Sequence, residues 1–139
     1  MALSEDFSNS HRGVVITVAS AIGGMSKTTL SSLLASQISK SSDKASKEGK
    51  MARPLKVCLI DLDIFDGDQG FLLGITQPNA LDLIFKEDLN PEVISESLIF
   101  SPKLGFHALL ASSKGFAGVN DLDVAHFYRK VIEILRGDV

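Results

Sequence analysis

The stretch from residue 14 to residue 29 most constrains how this chain can fold. Val14-Val15-Ile16-Thr17-Val18 is an unbroken β-branched run. Side chains of this kind favour extended backbone, and a run without polar alternation predicts a strand covered on both faces, as in parallel sheets. A turn at Gly23-Gly24 follows, then Lys27-Thr28-Thr29. Leu30, Leu33, Leu34 and Ile38 recur with the spacing of one helical face, which predicts a helix over 27–41 with that face in the core. A strand, a tight glycine turn and a helix in this order bring backbone N–H groups and the positive end of the helix dipole together, ready for an anion.

The rest of the chain repeats the alternation. Residues 41–55 are polar, charged and closed by Pro54, and read as a flexible surface connection. Residues 56–62 read as a second buried strand, 63–70 as a loop rich in carboxylates and glycine, and 105–111 as a third strand. Short helices are expected over 80–85, capped by Asn79, and over 91–100, capped by Asn90 with Pro91 at the first helical position. Asp121 is expected to cap a final helix whose apolar face is Val124, Phe127, Tyr128, Val131, Ile132 and Leu135. Strands alternating with helices imply an α/β fold, a doubly wound parallel sheet with helices on both faces and right-handed crossovers. Residues 1–12 read as a disordered polar tail and 13–139 as part of one domain.

Composition narrows the function classes. The chain has 139 residues and a net charge of −3, without a basic block, so it carries no direct signal for nucleic acid or an anionic membrane. The single cysteine, Cys58, lies in the apolar run 57–60 and reads as a small buried hydrophobe. The polar N-terminus lacks a secretory core, and no stretch reaches the ~20 apolar residues of a membrane span, so a cytoplasmic location is expected. His11, His107 and His126 lack metal-ligand spacing. Ser112-Ser113-Lys114-Gly115 reads as a connector.

The candidate site begins at the glycine turn. Gly23, Gly24, Met25, Ser26, Lys27, Thr28 and Thr29 form a phosphate-binding loop in this reading. Lys27 reaches terminal phosphates as a point charge, and the Thr28 hydroxyl ligates Mg²⁺. The loop departs from the pattern G-x-x-x-x-G-K-[ST], with Ala21 and Ser26 in place of the two glycines. A second cluster follows the strand at 56–62. Asp61 and Asp63 stand where that strand emerges, and Asp66-Gly67-Asp68 comes next. Carboxylates at the C-terminal edge of a parallel strand face the crevice in which ligands bind. Asp61 is expected to accept from backbone N–H groups or to belong to the Mg²⁺ shell. Asp63 is the leading candidate to orient an attacking water and Asp68 the second, while Asp66 reads as a solvated turn residue.

Residues 15–30 resemble the deviant Walker A segment of the ParA/MinD-type P-loop ATPases, whose usual form is K-G-G-x-G-K-T-T. The segment 57–75, VCLIDLDIFDGDQGFLLGI, resembles the second block of that family, closest in pattern to the TadZ/CpaE branch, which places pilus-assembly machinery. Weaker likeness continues through 80–84 and 105–112. The resemblance covers about residues 13–136 and implies the first part of a P-loop ATPase domain, truncated before the later strands. It implies ATP and Mg²⁺ as cofactors, a homodimer, and protein partners in a pilus or secretion assembly. The family's signature lysine crosses the dimer interface to the partner's phosphates. Ile22 occupies that position here and can neither donate a hydrogen bond nor carry charge. With Ser26 crowding the phosphate, slow or absent hydrolysis is expected.

The leading expectation is an ATP-binding positioning switch. The alternative is a non-catalytic interaction scaffold that keeps the fold without turnover. A capsule-regulating tyrosine-kinase-like relative ranks last, because Tyr128 is the sole tyrosine and lies on a predicted core face.

Overall fold

The computed structural model describes residues 12–63, 67, 69–75, 80–111 and 118–137. Its elements are α1 (Lys27–Lys47), β1 (Cys58–Ile60), α2 (Gln69–Leu73), α3 (Ala80–Ile84), α4 (Pro91–Ser97), β2 (Ile99–Ser101), β3 (Phe106–Leu109) and α5 (Asp121–Arg136).

The class is α/β, but the sheet is small and mixed. Its order is β1-β3-β2, with β1 parallel and β2 antiparallel to β3. The parallel ladder extends past its ends, where the Asp61 N–H donates to Leu109 O (2.9 Å) and the His107 N–H to Val57 O (2.9 Å). β2 and β3 form a hairpin whose turn closes through the Gly105 N–H donating to Ser101 O (2.7 Å). Gly105 has φ +82°, a left-handed conformation that glycine adopts without a Cβ clash.

β3 divides two cores by simple alternation. Phe106, Ala108 and Leu110 point to one side, where they pack with Leu59 and with Ala35 of α1. Leu109 points to the other, against α3, α4 and α5 through Leu83, Ile94, Val124, Phe127, Tyr128 and Val131. Helices therefore cover both faces, as the alternation of elements predicts.

Several sequence expectations change. The run Val14–Val18 lies outside the sheet, in neither helix nor strand, and Val14, Val15 and Ile16 are at least half exposed. Both edges of β3 are taken, one by β1 and the other by the local hairpin partner β2, so no slot beside β3 remains for a further parallel strand. The hairpin also ends α4 at Ser97, so 99–100 are strand and not helix. α1 runs to Lys47, through the first half of the stretch read as a flexible connection. Exposed i,i+4 pairs, Lys47 with Asp43 and Lys44 with Glu48, lie along its last turns. Asn120, not Asp121, caps α5, its side chain accepting from the Asp123 N–H (2.9 Å). Asn90 caps α4 as expected, accepting from the Val93 N–H (3.0 Å). The expected Asn79 cap, the tail over 1–11 and the connector 112–115 lie outside the described residues.

The orientation of α1 is the largest departure. Leu30 and Leu33 of the expected core face are 56% and 62% exposed, whereas Ser32, Ala35, Ser36, Ser39 and Ser42 are buried. Each buried serine hydroxyl is hydrogen-bonded. Ser36 Oγ donates to Leu104 O (3.0 Å) and Ser39 Oγ to Gly105 O, so the helix satisfies two carbonyls of the β2–β3 turn. Ser42 Oγ donates to Ser39 O and accepts from the Leu55 N–H. Small side chains allow close approach of helix and sheet, and the satisfied hydroxyls remove the cost of burying them.

Candidate functional site

The loop between residue 20 and α1 curls back on itself. Ser20 Oγ donates to Ile22 O (2.7 Å) and accepts from the Lys27 ammonium (3.2 Å). Gly24 has φ +73° and Ser26 φ +56°, so two left-handed residues flank Met25 and turn the chain into the helix. Among the described residues, no backbone N–H from Ala21 to Thr29 makes a short hydrogen bond to a protein acceptor, and the one turn in the loop is at Gly23-Gly24. A Cβ added at Gly23 or Gly24 would meet nothing within 4 Å, so the space over the turn is open. Gly23, Gly24, Met25, Ser26 and Thr29 are exposed, while Lys27 and Thr28 are half-buried. Successive donors, an open approach, a helix N-terminus and one ammonium together suit a polyanion. Thr28 offers a hydroxyl of the right kind for a hard cation beside it.

The acidic segment is arranged as its strand position requires. Asp61 is buried at the end of β1, and its Oδ1 accepts from the Asp63 N–H (3.0 Å), which turns the chain away from the sheet. Gly67 packs against this carboxylate, and a Cβ there would lie 3.0 Å from Asp61 Oδ2. Asp63 is exposed. Across the other core, burial raises the Tyr128 hydroxyl pKa, and the charges at Asp61 and then Asp63 add to the rise. Asp66 and Asp68 lie outside the described residues.

The side chain that joins the two segments is Gln69, which sequence reasoning passed over. It is buried in α2, and its Nε2 donates to Thr28 O (3.2 Å) and to Ser31 Oγ (2.8 Å). Its Oε1 accepts from Ser32 Oγ (2.8 Å). A backbone carbonyl can only accept, so the amide orientation follows from the contact with Thr28. Helical spacing in α1 puts Thr28, Ser31 and Ser32 on one face, and the only signal available beforehand was a glutamine after an acidic loop.

Elsewhere, Cys58 is half-buried, and burial pushes its thiol pKa up to about 12, so it is protonated and unreactive at neutral pH. A groove of about 410 Å³ lies between α4 and α5, lined in part by Asn90, Lys130 and Arg129, the last already paired with Glu133 (2.9 Å). It is built from elements other than the loop, and its lining holds no Ser, Thr or Cys and no carboxylate pair. No cluster of three or more His, Cys, Asp or Glu side chains able to hold a metal occurs among the described residues. No helix among them is long and apolar enough to cross a membrane. No family model, curated protein or solved structure matches the chain.

Proposed function

We propose that the chain binds ATP or ADP with Mg²⁺ through Gly23–Thr29 and acts as a positioning switch of the ParA/MinD type, with slow or absent hydrolysis. The observation that carries this reading is the backbone from Ala21 to Thr29, bent around two left-handed residues, open over Gly23 and Gly24, and leading to Lys27 at a helix N-terminus. Lys27 supplies charge to the terminal phosphates, and Thr28 with Asp61 holds the Mg²⁺ shell. Asp63, exposed where the strand emerges, has room to orient a water, with Asp68 as the second candidate. Ile22, 69% exposed at the tip of the loop, brings no charge to a partner's phosphates. The motif pattern at 57–75 favours the TadZ/CpaE branch, hence a cytoplasmic homodimer that serves a pilus or secretion assembly and carries a P-loop fold.

Calorimetric titration with ATP and Mg²⁺ tests the proposal. Lys27→Ala is expected to lose on the order of 1.5–3 kcal/mol, about ten- to hundredfold in affinity, the worth of a charge-assisted hydrogen bond. Equal affinity of the two proteins would remove the phosphate-loop assignment.

One observation favours a second reading, a non-catalytic scaffold. Leu30, Leu33 and Leu34 present an apolar face to solvent on α1, and Ile22 and Met25 are exposed in the loop that precedes it. Exposed apolar patches of this kind mark contact surfaces. Absence of ATP binding in the wild type would select this reading.

A further inference from the structure

We propose that Gln69 is a positioning residue that transmits the state of the loop at Gly23–Thr29 to α2. The inference rests on the nucleotide reading above and adds to it a path by which occupancy leaves the site.

The contacts of Gln69 are concentrated on the first turns of α1. Thr28 bears the hydroxyl assigned to the metal, and its own carbonyl accepts from Gln69 Nε2 and from Ser31 Oγ (3.0 Å). Ser31 and Ser32 lie one turn further on and hold both ends of the same amide. A buried amide in a site of low dielectric is costly unless its groups are bonded, so the loss of any of the three contacts is resisted. If phosphate binding shifts the first turn of α1, Gln69 must follow or lose its partners.

α2 is built to respond as one piece. Gln69 is its buried residue, whereas Phe71 is 94% and Leu72 47% exposed. The Ile75 N–H donates to Gly70 O (2.8 Å) and the Gly74 N–H to Phe71 O (3.1 Å), so the short helix and its exit turn are closed locally. A Cβ at Gly70 would stand 2.9 Å from Ile75 O, so the closure requires glycine there. Leu73 and Ile75 pack only partly on the core shared with α1. Light apolar anchorage with one buried polar anchor is the arrangement of an element whose position follows that anchor.

The chain contains no tryptophan, so Phe71→Trp introduces a single indole at an exposed position of α2. ATP with Mg²⁺ is titrated into this variant while indole emission and binding heat are followed in parallel. The expected result is an emission change that saturates with the heat. In the same background, Gln69→Met keeps the side-chain length and removes every hydrogen bond. It is expected to retain binding within about tenfold and to lose the emission change. Should Gln69→Met not fold, Ser32→Ala removes only the bond to Oε1, and is expected to diminish the change at full occupancy. A residue with a merely structural role would lower occupancy and emission change in proportion. Binding with a silent indole, or an undiminished emission change in Gln69→Met or Ser32→Ala at full occupancy, would overturn the coupling and leave the nucleotide reading standing. No binding heat in the parent would overturn both.

Discussion

Ser26 is where the loop stores strain, and replacing it gives a prediction with a definite sign. Its backbone sits at φ +56° and ψ +25°, a region that costs an ordinary L-residue roughly 1–2 kcal/mol. Ser26 stands at the N-cap of α1, yet its side chain makes no capping bond, so a substitution forfeits none. It is also exposed, so no burial is lost. Ser26→Gly removes the Cβ clash and gains back that cost. Against this stands the added freedom of glycine in the unfolded chain, about 0.5–1 kcal/mol. The mid-range values, about 1.5 against about 0.75 kcal/mol, leave a stabilisation of about 0.75 kcal/mol. Urea unfolding followed by circular dichroism reads it as a midpoint raised by about 0.3–0.5 M, for a denaturant slope of roughly 2 kcal/mol/M. Ser26→Ala keeps the Cβ and is expected to leave the midpoint near that of the parent. A midpoint for Ser26→Gly equal to or below the parent's would show that the left-handed turn is not where the loop is strained. The substitution also brings the backbone closer to a bound phosphate, so ATP affinity is expected to rise with stability.

Ile22→Lys restores a charge at an exposed loop position, and on the proposed trans role it should raise ATP turnover, by up to roughly 10³-fold if it matches an arginine finger; a fall in rate would remove that role. Alkaline pH should destabilise the protein. The Cys58 pKa is raised from 9.0 to about 12 and that of Tyr128 is raised as well, so above pH 9 the unfolded chain releases protons that the folded chain holds. Stability from these groups is full below pH 9 and declines from there toward pH 12. A urea midpoint that rises over that interval would contradict the sign, and Cys58→Ala should flatten the decline.

Some of the architecture was legible because local rules and tertiary packing agree. The run 57–60 is apolar without alternation, and Cys58–Ile60 of it becomes β1, with Leu59 buried in one core and Ile60 packed against the other. The face of α5 was read from Val124, Phe127, Tyr128, Val131, Ile132 and Leu135, of which the first four are buried and the last two half-buried. Asn90-Pro91 marked the start of α4 through two independent preferences, a capping side chain and a preset φ. The cap of α5 slipped by one residue because Asn120 and Asp121 are both competent and only the backbone turn decides between them.

Where the reading failed, competition between partners was the cause, and sequence pattern does not record competition. Val14–Val18 has the composition of a buried strand, but it pairs with neither outer edge of the sheet, while β2 takes the edge of β3 through a short turn with little loop to close. In α1 the leucine periodicity competes with an equally regular series, Ser32, Ala35, Ser36, Ser39 and Ser42, which is the one buried. Hydrophobicity alone ranks the leucine face first. What reverses the ranking is the set of acceptors that the serines meet, Leu104 O and Gly105 O from the hairpin and the amide of Gln69 from α2. The same polar face that attaches α1 to the sheet also attaches it to Gln69. The helix that starts at the candidate phosphate loop is therefore held by directional bonds on its inner side, which break or form at defined geometry, where leucine packing would tolerate sliding. That difference gives a small displacement at Thr28 a discrete consequence at Gln69, and it leaves the leucine face free for contact outside the fold.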